Sequence, residues 1–247
     1  MRKTQLSVNV NKVACLRNAR GGNTPNVATI TQLIIEAGAH GITVHPRPDL
    51  RHIIPNDVIE IAKLCKGKCE FNIEGNPFHP KSEVFPGLIE LALQTQPDQV
   101  TLVPDTATQI TSDHGWDFNA HSKDLIPIIQ TLQAKKIRVS LFVNPDKKSI
   151  EEAAKTGCDR IELYTEDYAI AYASGDGSKS AAHYQAMATY AKSLELGCNA
   201  GHDLNAENLK ELTKGDHFDE VSIGQALIAD ALIDGIDATV KNYLDQL

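Results

Sequence analysis

Eight short runs rich in β-branched and aliphatic residues recur along the chain, each followed by a stretch with helical spacing. No other feature constrains the fold as strongly. The runs are Leu6–Val10, Gly41–His45, Glu70–Ile73, Gln99–Val103, Arg138–Val143, Arg160–Tyr164, Gly197–Ala200 and Glu220–Ile223. Between them Val27, Ile30, Ile34 and Ala37 share one helical face, as do Tyr184, Met187, Ala191 and Leu194. Strands joined through helices run parallel, and eight such units in 247 residues suggest a single closed (β/α)₈ barrel spanning 1–247. An open doubly wound sheet would instead want a glycine-rich phosphate turn after the first strand, and "NVNKVACLRNARGG" is not one.

Punctuation supports this division. "SIEE" (Ser149 to Glu152) has capping-box spacing, Asn205 reads as an N-cap, and Gly38, Gly157 and Gly197 read as helix terminators. Two connections are long: "PDTATQITSDHGWDF" after strand four and "TEDYAIAYASGDGSKSA" after strand six. Both read as binding loops or lids, the second with "SGDG" as hinge material.

Composition narrows the partners. The net charge of −8 argues against nucleic acid and anionic membranes, so an anionic ligand needs a local positive site. No apolar run reaches the length of a membrane span, and no signal-peptide pattern precedes the first strand. Five scattered cysteines fit a reducing cytoplasm, and "CKGKC" lacks the second pair that a zinc site needs.

A barrel gathers the carboxyl ends of its strands over one mouth. There the sequence places Asn9 and Asn11, His45, Glu74, Glu162 with Glu166 beyond it, His202 and Asp203, and Gly224 and Gln225. Any one of these has a bland reading as a hydrogen-bonded structural residue. Taken together they point to a shared site, because each buried polar group needs a partner. His45, Glu74 and His202 suit acid–base work. An enzyme-bound imine is disfavoured, since Lys12 is the one lysine near a strand end. Two histidines and a glutamate could hold a metal, but without local ligand spacing. Arg17 and Arg20 after strand one, and Arg47, Arg51 and His52 after strand two, point to phosphate. The glycine in "SIGQ" suggests a second anion site on backbone N–H groups. Two positive regions imply one bisphosphate or two monophosphates.

The motifs "VNVNKVACLRNARGG", "GITVHPRPDLRHI", "FNIEGNP", "VTLVPD", "RIELYTE", "NAGHDL" and "SIGQALI" together resemble the pyridoxine 5′-phosphate synthase family, nearly end to end. The resemblance implies a TIM barrel that condenses 3-amino-2-oxopropyl phosphate with 1-deoxy-D-xylulose 5-phosphate, without metal or cofactor, in cytoplasmic octamers. It implies His45 and Glu74 as general bases, His202 as general acid and Glu162 as electrostatic stabiliser. Asn9, Arg20, Asp203, Gly224 and Gln225 would bind the amino-ketone phosphate, and Arg47, His52 and Thr111 the deoxyxylulose phosphate. The long loop after strand four would close as a lid. Asn11-Lys12 and Gln225 depart from the Asp-His and histidine that many members carry, which affects one substrate contact and removes a titrating group. The alternatives on residues alone are another phosphosugar enzyme, an epimerase or metal-dependent aldolase, and a barrel that only binds a phosphorylated metabolite.

Overall fold

The computed structural model describes residues 3–247 apart from 107, 108 and 110. Eight parallel strands close into a barrel in chain order: β1 Gln5–Asn9, β2 Gly41–Val44, β3 Glu70–Gly75, β4 Gln99–Leu102, β5 Arg138–Val143, β6 Arg160–Tyr164, β7 Gly197–Gly201 and β8 Glu220–Ile223, with β8 pairing back onto β1. Around them lie α1 Asn11–Asn18, α2 Val27–Glu36, α3 Pro55–Cys65, α4 Leu88–Thr95, α5 Phe118–Gln133, α6 Lys147–Lys155, α7 Glu166–Ala173, α8 Gly177–Ser193, α9 Leu209–Thr213, α10 Gln225–Asp234 and α11 Ile236–Asp245.

Period-two alternation along each strand divides the interior into two environments. Leu6, Val8, Ile42, Val44, Phe71, Ile73, Val100, Leu102, Val139 and Leu141 are buried in the main apolar core, which also takes in the buried faces of the helices. The alternate positions are polar, and several bond to one another between nearby strands inside the barrel. Ser7 and Thr43 hydroxyls lie 2.7 Å apart, Thr101 donates to Asn72 at 3.1 Å, and Arg138 donates to Gln99 at 2.9 Å and to Glu70 at 2.5 Å. Barrels usually fill this space with branched aliphatic side chains. Here a chain of polar contacts fills it, and ionisable groups stand behind the mouth.

Several local expectations change. Ser149 does not cap α6. The cap is Asp146, three residues earlier, whose carboxylate accepts from Ser149 N at 2.9 Å. Asn205 does accept from the N–H groups of Glu207 and Asn208, but it caps a preceding turn, and α9 begins only at Leu209. Gly38 and Gly157 take positive φ as expected, whereas Gly197 opens β7 and Glu195 supplies the left-handed residue. "TEDYAIAYASGDGSKSA" is not a loop: it forms α7 and the start of α8, with "SGDG" as the turn between them. Alanines and aromatics at helical spacing outweigh the turn residues there.

The connection after β4 contains no helix or strand among its described residues. It is nonetheless anchored: Trp116 is buried and donates through Nε1 to Leu102 O at 2.8 Å. No described helix is long and apolar enough to cross a membrane.

Candidate active site

The carboxyl ends of the strands surround a cleft of about 620 Å³, lined by Asn9, His45, Arg47, His52, Glu74, Thr111, Glu162, His202, Asp203, Gly224 and Gln225 among others. Every site residue implied by the family resemblance lines this cleft except Arg20; of the other strand-end candidates, Arg17 and Glu166 also lie outside the lining. Arg20 is exposed in the turn after α1. Arg17 also takes another role. Its guanidinium is buried, bound twice to the Asp57 carboxylate at 2.5 and 2.9 Å and once to His52 O at 3.2 Å. Asp57 in turn accepts from Ile54 N at the start of α3, so Arg17 holds the β2–α3 turn in place and is not free for phosphate.

Asn9 and Asn11 organise the floor. Asn9 Oδ1 accepts from Asn11 N at 3.0 Å, and Asn11 Oδ1 accepts from His45 N at 2.9 Å, fixing the backbone that presents the imidazole. Asn9 Nδ2 reaches Glu74 Oε2 at 3.4 Å. His45 Nδ1 lies 3.8 Å from the same Glu74 oxygen, close enough for a proton to pass after a slight approach.

Charge is costly in this enclosure. Burial, then the facing carboxylates of Glu220 and Asp105, pushes the Glu74 carboxyl up to about 8. Burial, then Glu74 and Glu220, holds Glu162 well above the usual carboxylate range, and its Oε2 is buried without a partner. Burial, then His45, lowers His202 to about 4. Burial, then His45 and Arg47, lowers His52 to about 3. At neutral pH Glu74 therefore mostly holds its proton, Glu162 is displaced in the same direction, and His202 and His52 are neutral. Proton donors and acceptors thus face one space.

His202 stands against an aromatic wall, 4.9 Å from the Phe142 ring centroid and 5.4 Å from that of Tyr164. Its backbone is unusual: His202 has φ +89° and Asp203 φ +56°, conformations that non-glycine residues rarely adopt. The buried Thr165 hydroxyl is shared between Gly201 O at 2.6 Å and His202 O at 2.5 Å and anchors this turn. Before it, a Cβ on Gly201 would overlap the Glu162 carboxylate, so the glycine makes room for that side chain.

Two regions suit anions. After β2, Arg47, Arg51 and His52 face the cleft beside Thr111 and Ser112. Arg47 and Arg51 both donate to Gln109 O, at 2.8 and 2.9 Å, which docks the β4 connection onto them. Across β1, the start of α10 presents unpaired N–H groups beside Ser222, Gly224 and Gln225. A Cβ on Gly224 would come within 3.1 Å of Asn9 Cβ, so this close approach favours glycine. Among the described residues no group of three His, Cys, Asp or Glu side chains is placed to hold a metal ion.

Sequence reading missed Asp105, which is wholly buried between His45 and Arg47. Its signal was available, since "VTLVPD" puts a carboxylate just past the carboxyl end of β4. Glu220 was missed because its position inside the barrel appears only once the strands close.

The family model described as pyridoxal phosphate biosynthesis protein PdxJ matches residues 6–247. Curated pyridoxine 5′-phosphate synthases are similar over nearly the full length. That of Xanthomonas axonopodis pv. citri (strain 306) is 51% identical over 246 residues, covering 99% of this chain and 96% of the relative. That of Xylella fastidiosa (strain M23) is 48% identical over 247 residues, covering 99% and 95%. Among solved structures, tryptophan synthase from M. tuberculosis matches with TM-score 0.65 at 9% identity over 99% of this chain and 93% of that one. Phosphoribosylanthranilate isomerase from Thermotoga maritima matches with TM-score 0.58 at 15% identity, over 98% and 99%. At such identities these two share the fold alone.

Proposed function

The chain belongs to the PdxJ family of pyridoxal phosphate biosynthesis proteins and has pyridoxine 5′-phosphate synthase function, and from that premise we propose which of its residues carry the reaction. The other phosphosugar enzymes and the non-catalytic binder that the residues alone left open give way to this family. The substrates are phosphorylated; we take them to be 3-amino-2-oxopropyl phosphate and 1-deoxy-D-xylulose 5-phosphate.

One observation carries the assignment of roles. His45, Glu74, Glu162 and His202 converge on a single cleft, and a region whose groups suit an anion lies on either side of β1. Arg47 and His52, with Thr111, receive the phosphate of the deoxyxylulose substrate. Gly224, Gln225 and the N–H groups that begin α10 receive that of the amino-ketone, with Asn9 and Asp203 along its length. Gln225 donates a hydrogen bond but cannot titrate. Arg20 joins this set only if the turn after α1 comes over the mouth. Closure of the β4 connection belongs to the same proposal, supported by the Gln109 carbonyl on both arginines and by Thr111 and Ser112 in the lining.

Condensing an amine with a ketone, then dehydrating and closing a ring, requires repeated proton transfer within reach of the same atoms. Glu74 and His45 act as the basic pair, passing one proton between them. Glu162, whose charged form burial and the neighbouring Glu74 and Glu220 disfavour in the free enzyme, faces the reacting atoms from beneath and stabilises positive charge once ionised. His202 is neutral in the free enzyme. The arrival of two phosphates supplies the negative charge that allows it to take up a proton and act as general acid.

Cytoplasmic location is part of this reading, supported by five cysteines that are all free. So is a homo-oligomer, supported by the adjacent exposed Leu232 and Ile233 on α10. Incubation of the purified protein with both substrates should yield pyridoxine 5′-phosphate and inorganic phosphate. Folded protein that yields neither overturns the assignment.

A further inference from the structure

Asp105 has no part in the reaction as the cleft residues divide it. It stands three residues past β4, has no exposed surface and does not line the cleft. Its backbone carbonyl accepts from Asn76 Nδ2 at 2.9 Å, which fixes the turn that presents it. Its Oδ2 lies 2.5 Å from Arg47 Nη2 and 3.4 Å from His45 Nε2, a buried nitrogen that has no hydrogen-bond partner in this orientation and for which Asp105 is a carboxylate within a slight approach. Five ionisable groups interact with this carboxylate: His45 and Arg47 after β2, Glu74 at the end of β3, His79 in the connection beyond β3, and more weakly His202 after β7.

A wholly buried carboxylate persists only with compensating charge. Burial pushes Asp105 upward, but an N–H directed from His45, then the Arg47 guanidinium and His79, outweighs it, and the group stays ionised. Glu74, on the other side of the imidazole, keeps its proton at neutral pH. The His45 ring therefore stands between an anion at Nε2 and a neutral acid at Nδ1. An N–H is favoured toward the anion, and a lone pair toward the acid that can donate to it.

We propose that Asp105 is a positioning residue for the reaction: its carboxylate holds His45 as the Nε2–H tautomer, leaving Nδ1 as the acceptor toward Glu74 and the cleft, and anchors Arg47 through the same oxygen. The proposal rests on His45 as a base. It adds the group that sets which nitrogen works, a partner conferring orientation as well as charge.

Two measurements test it. In histidine-¹⁵N-labelled protein, the His45 signal, identified by its loss in His45→Ala, should report Nε2 protonated and Nδ1 bare at neutral pH. An Nδ1–H tautomer overturns the proposal, and this readout needs neither turnover nor an Asp105 variant. In kinetics, Asp105→Asn keeps the shape and removes the charge. It should lower kcat by roughly 100-fold, within the range a positioned acid–base group contributes. In a His45→Ala background the same change should alter kcat by less than about twofold, because the two residues act as a unit. A merely structural Asp105 would depress both backgrounds by the same factor, and that result, like a wild-type kcat in the single variant, overturns the proposal. Wild-type protein that makes no pyridoxine 5′-phosphate would instead count against the assigned reaction, leaving the tautomer to decide on Asp105.

Discussion

Glu74→Gln should make the protein more stable and less active, and the pH dependence of the gain follows from where the carboxyl sits. Burial beside Glu220 and Asp105 raises the group from 4.5 to about 8 in the folded chain. A raised carboxyl opposes folding once the unfolded chain ionises and the folded chain does not. Its contribution is absent well below pH 4.5, grows as pH climbs toward 8, and levels off above that. The destabilisation amounts to about 1 kcal/mol at pH 5 and about 3 kcal/mol at pH 7. Glutamine keeps the shape and can still accept from Asn9 Nδ2, as Glu74 does at 3.4 Å, so the substitution removes the charge term with little else. Urea denaturation of both proteins across pH 5 to 9 measures the difference directly. The variant should be the more stable, by a margin that widens with pH, while its turnover drops by roughly 100-fold. An equal margin at pH 5 and pH 8, or a variant less stable throughout, refutes the reasoning that charge at this site is held back by burial.

The same carboxyl sets a kinetic expectation. If Glu74 must be ionised to act as a base, kcat/KM should rise as pH climbs toward about 8, and a profile flat from pH 6 to 9 would remove it from that role. Gly201→Ala adds a methyl group where the Glu162 carboxylate lies; it should cost about 1–3 kcal/mol and reduce kcat, read by urea midpoint and turnover, and wild-type values for both would show that Glu162 does not need that space. Thr165→Val removes the hydroxyl shared by Gly201 O and His202 O. It should lower stability by about 1–2 kcal/mol and lower kcat more than it raises KM, because the left-handed turn at His202 loses its anchor. An unchanged kcat would mean that the turn is held by other contacts.

Much of this was legible along the chain because its rules are local. Period-two runs broken by helical spacing located all eight strands to within a residue or two at each end. With the barrel assumed, position at or near the carboxyl end of a strand named His45, Glu74, Glu162, His202, Gly224 and Gln225 as neighbours. Local signals failed where two of them competed. "SGDG" reads as a hinge, but the helix-forming residues before it and after it leave only a turn. Ser149 and Asp146 both look like caps, and the helix takes the earlier one.

Arginine roles show the boundary most plainly. In sequence Arg17, Arg20, Arg47 and Arg51 are equivalent cations following strands. Folding buries Arg17 against Asp57, leaves Arg20 outside the cleft and turns Arg47 into it beside Asp105. The protonation pattern is likewise invisible in a linear chain. Glu74, Glu162 and Glu220 come from β3, β6 and β8; Glu220 acts on both of the others, and Glu74 on Glu162, only because closure brings them into one poorly solvated interior. The alternation of strand and helix and the identity of the groups at strand ends are properties of neighbouring residues, so the sequence by itself determined them. Which cation faces the cleft, which carboxyl keeps its proton and which glycine must stay bare depend on distances between residues far apart in the chain. Those were decided by the tertiary structure, because electrostatic and steric energies depend on separation in space and on the solvent excluded between the groups.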